Sequence, residues 1–439
     1  MDQTLRPVAV IGGVRIPFCR SNTLYADKSN LEMLTGVLQG LVDKYNLEGV
    51  HIDEAIGGAI VTHSKDWNLA REAVLGTKLA PTTPGITIQQ ACGTSLQAAS
   101  MIQAKIATGE IECGIAMGSD TTSDAPIVLK ERFAHRLIEA QNAKSMGQRL
   151  SAFKGFSPAE LVPQPPNVGE PRTGLSMGQH AELMAQEWKI TRAEQDRLAY
   201  ESHRKAAEAY RSGYMDDLIV PFAGVFRDNN LREDISLEKI ATLRTAFDQS
   251  DRGTLTAANS TPLTDGAAAV LLASDEWAAK RALPVAAHLT YAQTSANNFV
   301  AGEGLLMAPA VAVSRMLERA QLRLQDFDFY EIHEAFAAQV LATLKAFEDP
   351  TYCKTYLHRD APPRTSAQPA TLCALCAADQ SGARTAHAAA RMAAAVRPSM
   401  MAATPMPPAV QTEMSPRPPC SDKSLARLPM MRAPVAAKG

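Results

Sequence analysis

From Arg6 to about Phe347 the chain alternates short apolar runs with helix-forming stretches, and this alternation restricts it to a layered α/β fold. "RPVAVIGGV" and "DEAIGGAIV" read as strands, with the helix "LEMLTGVLQGLVDKY" between them. A third strand, "CGIAMGSD", ends in small residues. At 439 residues the chain is long enough for two or three domains. A balance of 44 basic against 46 acidic residues offers no electrostatic case for nucleic acid or an anionic membrane as the main partner. Seven scattered cysteines make no disulfide framework, so a reducing, cytoplasmic setting is expected. The apolar run near the N-terminus is too short for a signal h-region, and no stretch of about 18 apolar residues suggests a spanning helix.

Within this pattern "GITIQQACGTSLQAASMIQAKIATG" sets Cys92 between a β-branched run, Ile86 to Ile88, and a helical segment extending through Lys105. A helix N-terminus carries unpaired N–H groups and the positive end of the dipole, which favour thiolate over thiol. Gly93 would leave the sulfur approachable. The competing reading is a small buried core residue. A second unit has the same layout: the alternating run Phe327 to Ile332, then His333, then a mostly apolar helix. His333 is there a donor or base, a satisfied core histidine, or a helix N-cap.

Residues 125–245 are richer in charge and in helix starts. Ser176 with Gln179, and Thr191 with Glu194, have capping-box spacing. Ala181, Met184, Ala185 and Trp188 fall on one helix face. "GTLTAANSTPLTDGAAAVLLAS" then reads as a polar turn followed by a buried strand. From about Pro350 the composition breaks: residues 350–439 hold no Ile, Phe or Trp and only two glycines, yet 13 of the 27 prolines. Apart from a possible helix in "ARTAHAAARMAAAV", that tail is expected to be disordered. Cys373 and Cys376 form a CxxC, half of a zinc set, and no metal site is expected.

Five collinear stretches carry a resemblance to a known family: "QQACGTSLQAA", "SMGQHAELMAQEW…TRAEQDRLAYESHRKA", "GTLTAANSTPLTDGAAAVLL", "MAPAVAVSRML" and "EIHEAFAAQ". Over about residues 6–348 the chain resembles the thiolases, in particular the 3-ketoacyl-CoA thiolases of fatty-acid β-oxidation complexes. The resemblance implies a thiolase-like α/β fold of two similar βαβαβ halves with a helical loop domain. Residues 1–124 and 246–275 would form the first half, 125–245 the CoA-binding loop domain, and 276–349 an incomplete second half, followed by the atypical tail 350–439. It also implies Cys92 as acyl-accepting nucleophile and His333 at the position that holds an oxyanion-hole water, where the family's "NEAFA" reads "HEAFA". Met177, Ser260, Thr261, Ala335 and Phe336 would line the pantetheine channel. CoA would be a co-substrate and no cofactor would be bound permanently. Acyl-CoA and CoA would be the small-molecule partners of a homo-oligomer that could pair with a hydratase/dehydrogenase subunit.

Two motifs of that family are missing: a "GHP" histidine that activates the nucleophile and a "CxG" cysteine that serves as acid and base. His358 lies in "YLHRD" and His387 in "RTAHAAA", and no cysteine is followed two places on by glycine. We therefore expect a reading frame shifted after about residue 360 in preference to a genuine divergent tail, and two functions follow: a 3-ketoacyl-CoA thiolase, or a non-catalytic or truncated, frame-shifted thiolase-like protein that at most binds CoA or a partner subunit.

Overall fold

A computed structural model describes residues 5–363. Most of the 350–439 tail, including Cys373, Cys376, His387 and the segment "ARTAHAAARMAAAV", lies outside them.

The strands are β1 (Val8–Arg15), β2 (Cys19–Arg20), β3 (Glu54–Gly57), β4 (Gly85–Thr87), β5 (Cys113–Asp120), β6 (Thr264–Ser274) and β7 (Ala287–His288). Among the described residues they form one sheet in the order β4-β3-β5-β6-β1-β7, with β2 beside β6. β3 runs parallel to β4 and β5, whereas β6 is antiparallel to both β5 and β1. All eleven residues of β6 are buried, as a central strand covered on both faces requires.

Side chains alternate between two cores, following the two-residue period of a strand. Ala267, Ala269, Leu271 and Ala273 face a core built with α1 (Asn30–Lys44) and α2 (Leu69–Leu75). Ala268, Val270 and Leu272 face the opposite core, built with α3 (Thr94–Thr108). The sheet is thus the middle of three layers. In β1 the register slips between Val10 and Gly12. Gly12 has φ +147°, and a Cβ there would lie 2.1 Å from the Tyr45 hydroxyl oxygen, so glycine is what this bulge needs.

The intervening region is helical: α4 (Glu131–Asn142), α5 (Met146–Ser151), α6 (Met177–Glu187), α7 (Arg192–Arg211) and α8 (Leu237–Ala241). Both expected capping boxes form, at Ser176 with Gln179 and at Thr191 with Glu194. Ala181, Met184 and Ala185 are buried on the face the spacing predicted. After α9 (Asp275–Lys280) come α10 (Ala308–Ala320) and α11 (Ala337–Ala346), which pack with α6 in two further apolar clusters.

Two expectations need correction. Among the described residues Phe327–Ile332 forms no strand of the sheet, and only Tyr330 in it takes part in a β-bridge. An alternating run becomes a strand only where a neighbour takes its N–H and C=O groups in a ladder. The boundary at Pro350 is also too early. Pro350–Thr355 is a helix, α12, with Pro350 in its first turn and the Asp349 carboxylate accepting from Tyr352 N–H at 2.7 Å. Tyr352, Cys353 and Leu357 are buried against the cluster of α10 and α11.

Candidate active site

Cys92 occupies the turn between β4 and α3 and is exposed, which removes the buried-core alternative. The turn is held locally. Gln90 N–H donates to Thr94 Oγ1 at 2.9 Å, and that hydroxyl donates to the Ala91 carbonyl at 2.8 Å. Ala91 has φ +44°, a left-handed conformation that costs a residue with a Cβ roughly 1–2 kcal/mol. Thr94, fully buried, holds that strain in place. Behind the turn, Gly58 lets the chain pass: a Cβ there would lie 1.9 Å from the Ile88 carbonyl oxygen.

The sulfur therefore projects just before Gly93, the N-cap of a fifteen-residue helix that no side chain caps. The aligned peptide dipoles place roughly half a positive charge at that end. This is a setting for a nucleophilic thiolate.

Ser260, Thr261, Ala335 and Phe336 come together. Ser260 bridges Phe336 in antiparallel fashion. The Ala335 carbonyl accepts from Thr261 N–H at 3.0 Å and from Thr261 Oγ1 at 2.7 Å. Phe336 is buried and meets Phe247 edge to face, with ring centroids 5.9 Å apart. Met177 is the first residue of α6 and is exposed; the next residue, Gly178, lies directly against the Phe247 ring. His333 is half-buried in the irregular run before Ala335. It is not a helix cap, because Phe336 fills the N-cap position of α11.

Topology sets these two groups at one end of the sheet. Cys92 follows the carboxyl end of β4, which is parallel to β3 and β5. Thr261 precedes the amino end of β6, and Gly266 of β6 pairs with Asp120 at the carboxyl end of β5. β4 and β6 are three strand spacings apart, about 14 Å.

Residue patterns did not single out a cavity of about 30 Å³ lined by His203, Arg232, Ser260, Thr261 and Glu334 among others. Glu334 is buried and accepts from Ser202 Oγ at 2.6 Å. Burial pushes its carboxyl up to about 7. Burial, reinforced by Arg232, holds the His203 imidazole down at about 4. The available signal for Glu334 was a carboxylate set directly before the apolar run Ala335–Ala338.

An exposed cysteine at a helix N-terminus, on an α/β sheet with the Ser260–Thr261 and Ala335–Phe336 segments joined at the same end, fits an acyl-transfer class of site. The chain belongs to the thiolase family. The family's N-terminal domain matches residues 8–276 and its C-terminal domain residues 284–353. The 3-ketoacyl-CoA thiolase of Shewanella piezotolerans is 40% identical over 360 residues, covering 80% of this chain and 82% of that protein. The enzyme of the same name from Shewanella baltica is 40% identical over 362 residues, with the same coverage. Among solved structures, the Bacillus anthracis acetyl-CoA acetyltransferase superposes with a TM-score of 0.70 at 28% identity, covering 89% of this chain and 93% of that one. Human mitochondrial 3-ketoacyl-CoA thiolase in complex with CoA, at 24% identity and a TM-score of 0.68 over 89% of this chain and 92% of that one, shares the fold. No helix among the described residues is long and apolar enough to cross a membrane.

Proposed function

We propose that this acyltransferase descends from, and is built as, a 3-ketoacyl-CoA thiolase of fatty-acid β-oxidation, with Cys92 as its nucleophile. The identity to 3-ketoacyl-CoA thiolases over four-fifths of the chain carries the reading; the exposed Cys92 at the start of α3 supports it. The thiolate attacks the 3-keto carbon of a 3-ketoacyl-CoA. The bond between carbons 2 and 3 breaks, acetyl-CoA leaves after its carbanion takes a proton, and the shortened acyl group stays on sulfur. The thiol of a second CoA then takes the acyl group and returns Cys92. His333 would hold the water that stabilises the oxyanion, with Met177, Ser260, Thr261, Ala335 and Phe336 along the pantetheine arm. CoA is a co-substrate, not a resident cofactor. Residues 125–245 serve as the CoA-binding loop domain, and the protein works in the cytoplasm as a homo-oligomer, alone or beside a hydratase/dehydrogenase subunit.

The absent "GHP" and "CxG" motifs favour a second reading, a thiolase-like protein with little catalysis. Losing an acid–base group typically forfeits ~10²–10⁴ in rate and one oxyanion donor ~10²–10³. A frame shift after about residue 360 would account for both losses, and the coding DNA should then restore both motifs in another frame.

Thiolysis of a long-chain 3-ketoacyl-CoA by the purified chain, with Cys92→Ala as control, separates the two readings. Turnover that disappears in the control supports the enzyme. Turnover no higher than the control leaves a disabled copy.

A further inference from the structure

Glu334 is a buried carboxyl that the chemistry above leaves unused. Its side chain is tied to α7 through Ser202 Oγ at 2.6 Å. Its carbonyl accepts from Thr261 Oγ1 at 3.1 Å. One residue thus joins three pieces: helix α7, the turn that carries Ser260 and Thr261, and the segment that carries Ala335 and Phe336. The carboxyl also lines the 30 Å³ cavity, which has room for a water. Ser260 Oγ is buried there with no hydrogen-bond partner among the described residues, so the cavity contains a polar atom that a bridging water would satisfy.

We propose that Glu334 is a positioning residue of the acyl-CoA channel, working as a neutral acid through Thr261, Ala335 and Phe336; this rests on the thiolase reading given above. In the neutral form one carboxyl oxygen accepts from Ser202 while the acid O–H donates into the cavity. In the charged form the donor is lost, and a buried carboxylate is left in the cavity it lines together with Ser260. The charged and titratable groups around it are His203 and Lys205 from α7, Arg232 from the following loop, and Glu331 and His333 on its own segment. Lys205 and Arg232 are exposed, and His203 is neutral near pH 7 because burial holds it near 4. Burial sets the Glu334 carboxyl at about 7. The Ser202 hydrogen bond and Lys205 pull it down, whereas Glu331 pushes it up. Ionisation would therefore loosen the wall of the channel within the ordinary working range.

The test is calorimetric titration of the full chain with CoA between pH 6 and pH 8.5, on the wild type, Glu334→Gln and Ser202→Ala. If only the neutral form is competent, wild-type affinity falls about tenfold between pH 6 and pH 8. Glu334→Gln, which cannot ionise, loses that fall, and CoA's own ionisations cancel between the two proteins. Ser202→Ala moves the midpoint to higher pH, because it removes a hydrogen bond that favours the charged form. Matching profiles for wild type and Glu334→Gln would overturn the positioning role alone. Absence of CoA binding in all three proteins at every pH would overturn it together with the thiolase reading.

Discussion

Arg15 and Asp228, 213 residues apart, form a two-pronged buried ion pair, with Nη1 to Oδ1 at 2.6 Å and Nη2 to Oδ2 at 2.8 Å. Arg15 ends β1, while Asp228 belongs to the connection between α7 and α8 in the helical region. The same carboxylate accepts from Phe18 N–H at 2.7 Å, and the guanidinium lies over the Phe18 ring. Ile219, on the same connection, bridges Arg15. The helical region is thereby fastened to the sheet at its carboxyl end, beside the site.

Removing Asp228 would strand a buried guanidinium. Burial opposes that charge, and Asp228 and Tyr210 more than restore it. Asp228→Ala should therefore lose about 3–5 kcal/mol of stability, read from urea denaturation. A loss below about 1 kcal/mol, the range of exposed pairs, would mean that the pair does not hold this junction.

The four described cysteines should separate cleanly by reactivity. Cys19, Cys113 and Cys353 are buried; burial pushes Cys19 and Cys113 up to about 12 and raises Cys353. Cys92 alone among them is exposed, at a helix N-terminus. Under native conditions near pH 7.5, peptide mapping after iodoacetamide should find Cys92 modified at least roughly a hundredfold faster than the other three. Comparable rates would remove the case for an activated thiol.

Much of this was legible because it is local. The buried runs of β1, β5 and β6, the helix start after Cys92 and the capping boxes at Ser176 and Thr191 each depend on residues a few places apart. Ser260, Thr261, Ala335 and Phe336 came from motif resemblance and meet across the fold. What escaped is long-range or obscured by averaging. Ser202 and Glu334 are 132 residues apart, and nothing near either one signals the other. The strain at Ala91 is a backbone property that alanine does not advertise. Phe327–Ile332 has strand periodicity, but periodicity does not provide a ladder. Helix α12 is six residues inside a proline-rich stretch, so a composition judged over ninety residues conceals it, although Asp349 and Pro350 mark its start.

Gly178 tests the aromatic contact between Phe247 and Phe336. A Cβ on Gly178 would lie 2.1 Å from the Phe247 ring, and that ring packs edge to face on Phe336. Alanine suits a helix better than glycine by about 1 kcal/mol, so a propensity argument predicts stabilisation. Overpacking costs about 1–3 kcal/mol and should win, because the ring is held between Gly178 and Phe336. Gly178→Ala is expected to lower the midpoint of thermal unfolding; a higher midpoint would show that the ring has room to move.

His203 and Glu334 line one cavity and should give stability opposite dependences on pH. The His203 imidazole is held down at about 4 in the folded protein, against about 6.5 when unfolded. Its contribution is therefore present above pH 6.5 and is lost as pH falls through 4, where the unfolded chain already binds the proton. The Glu334 carboxyl is held up at about 7, against about 4.3 when unfolded. Its contribution is full below about pH 4 and is lost as pH rises through 7. Each shift corresponds to about 3 kcal/mol, and the two slopes oppose one another between roughly pH 4.5 and 6.5. The wild type should therefore look nearly flat in that window with respect to these two groups. Replacing one group at a time exposes the other: Glu334→Gln should gain stability steadily as pH rises from 4.5 to 6.5, while His203→Gln should lose it over the same interval. Denaturant midpoints at four pH values suffice to read the sign. Slopes of the same sign in the two variants would mean that at least one of these groups keeps an ordinary proton affinity inside the fold, and that the cavity is wetter than its walls imply.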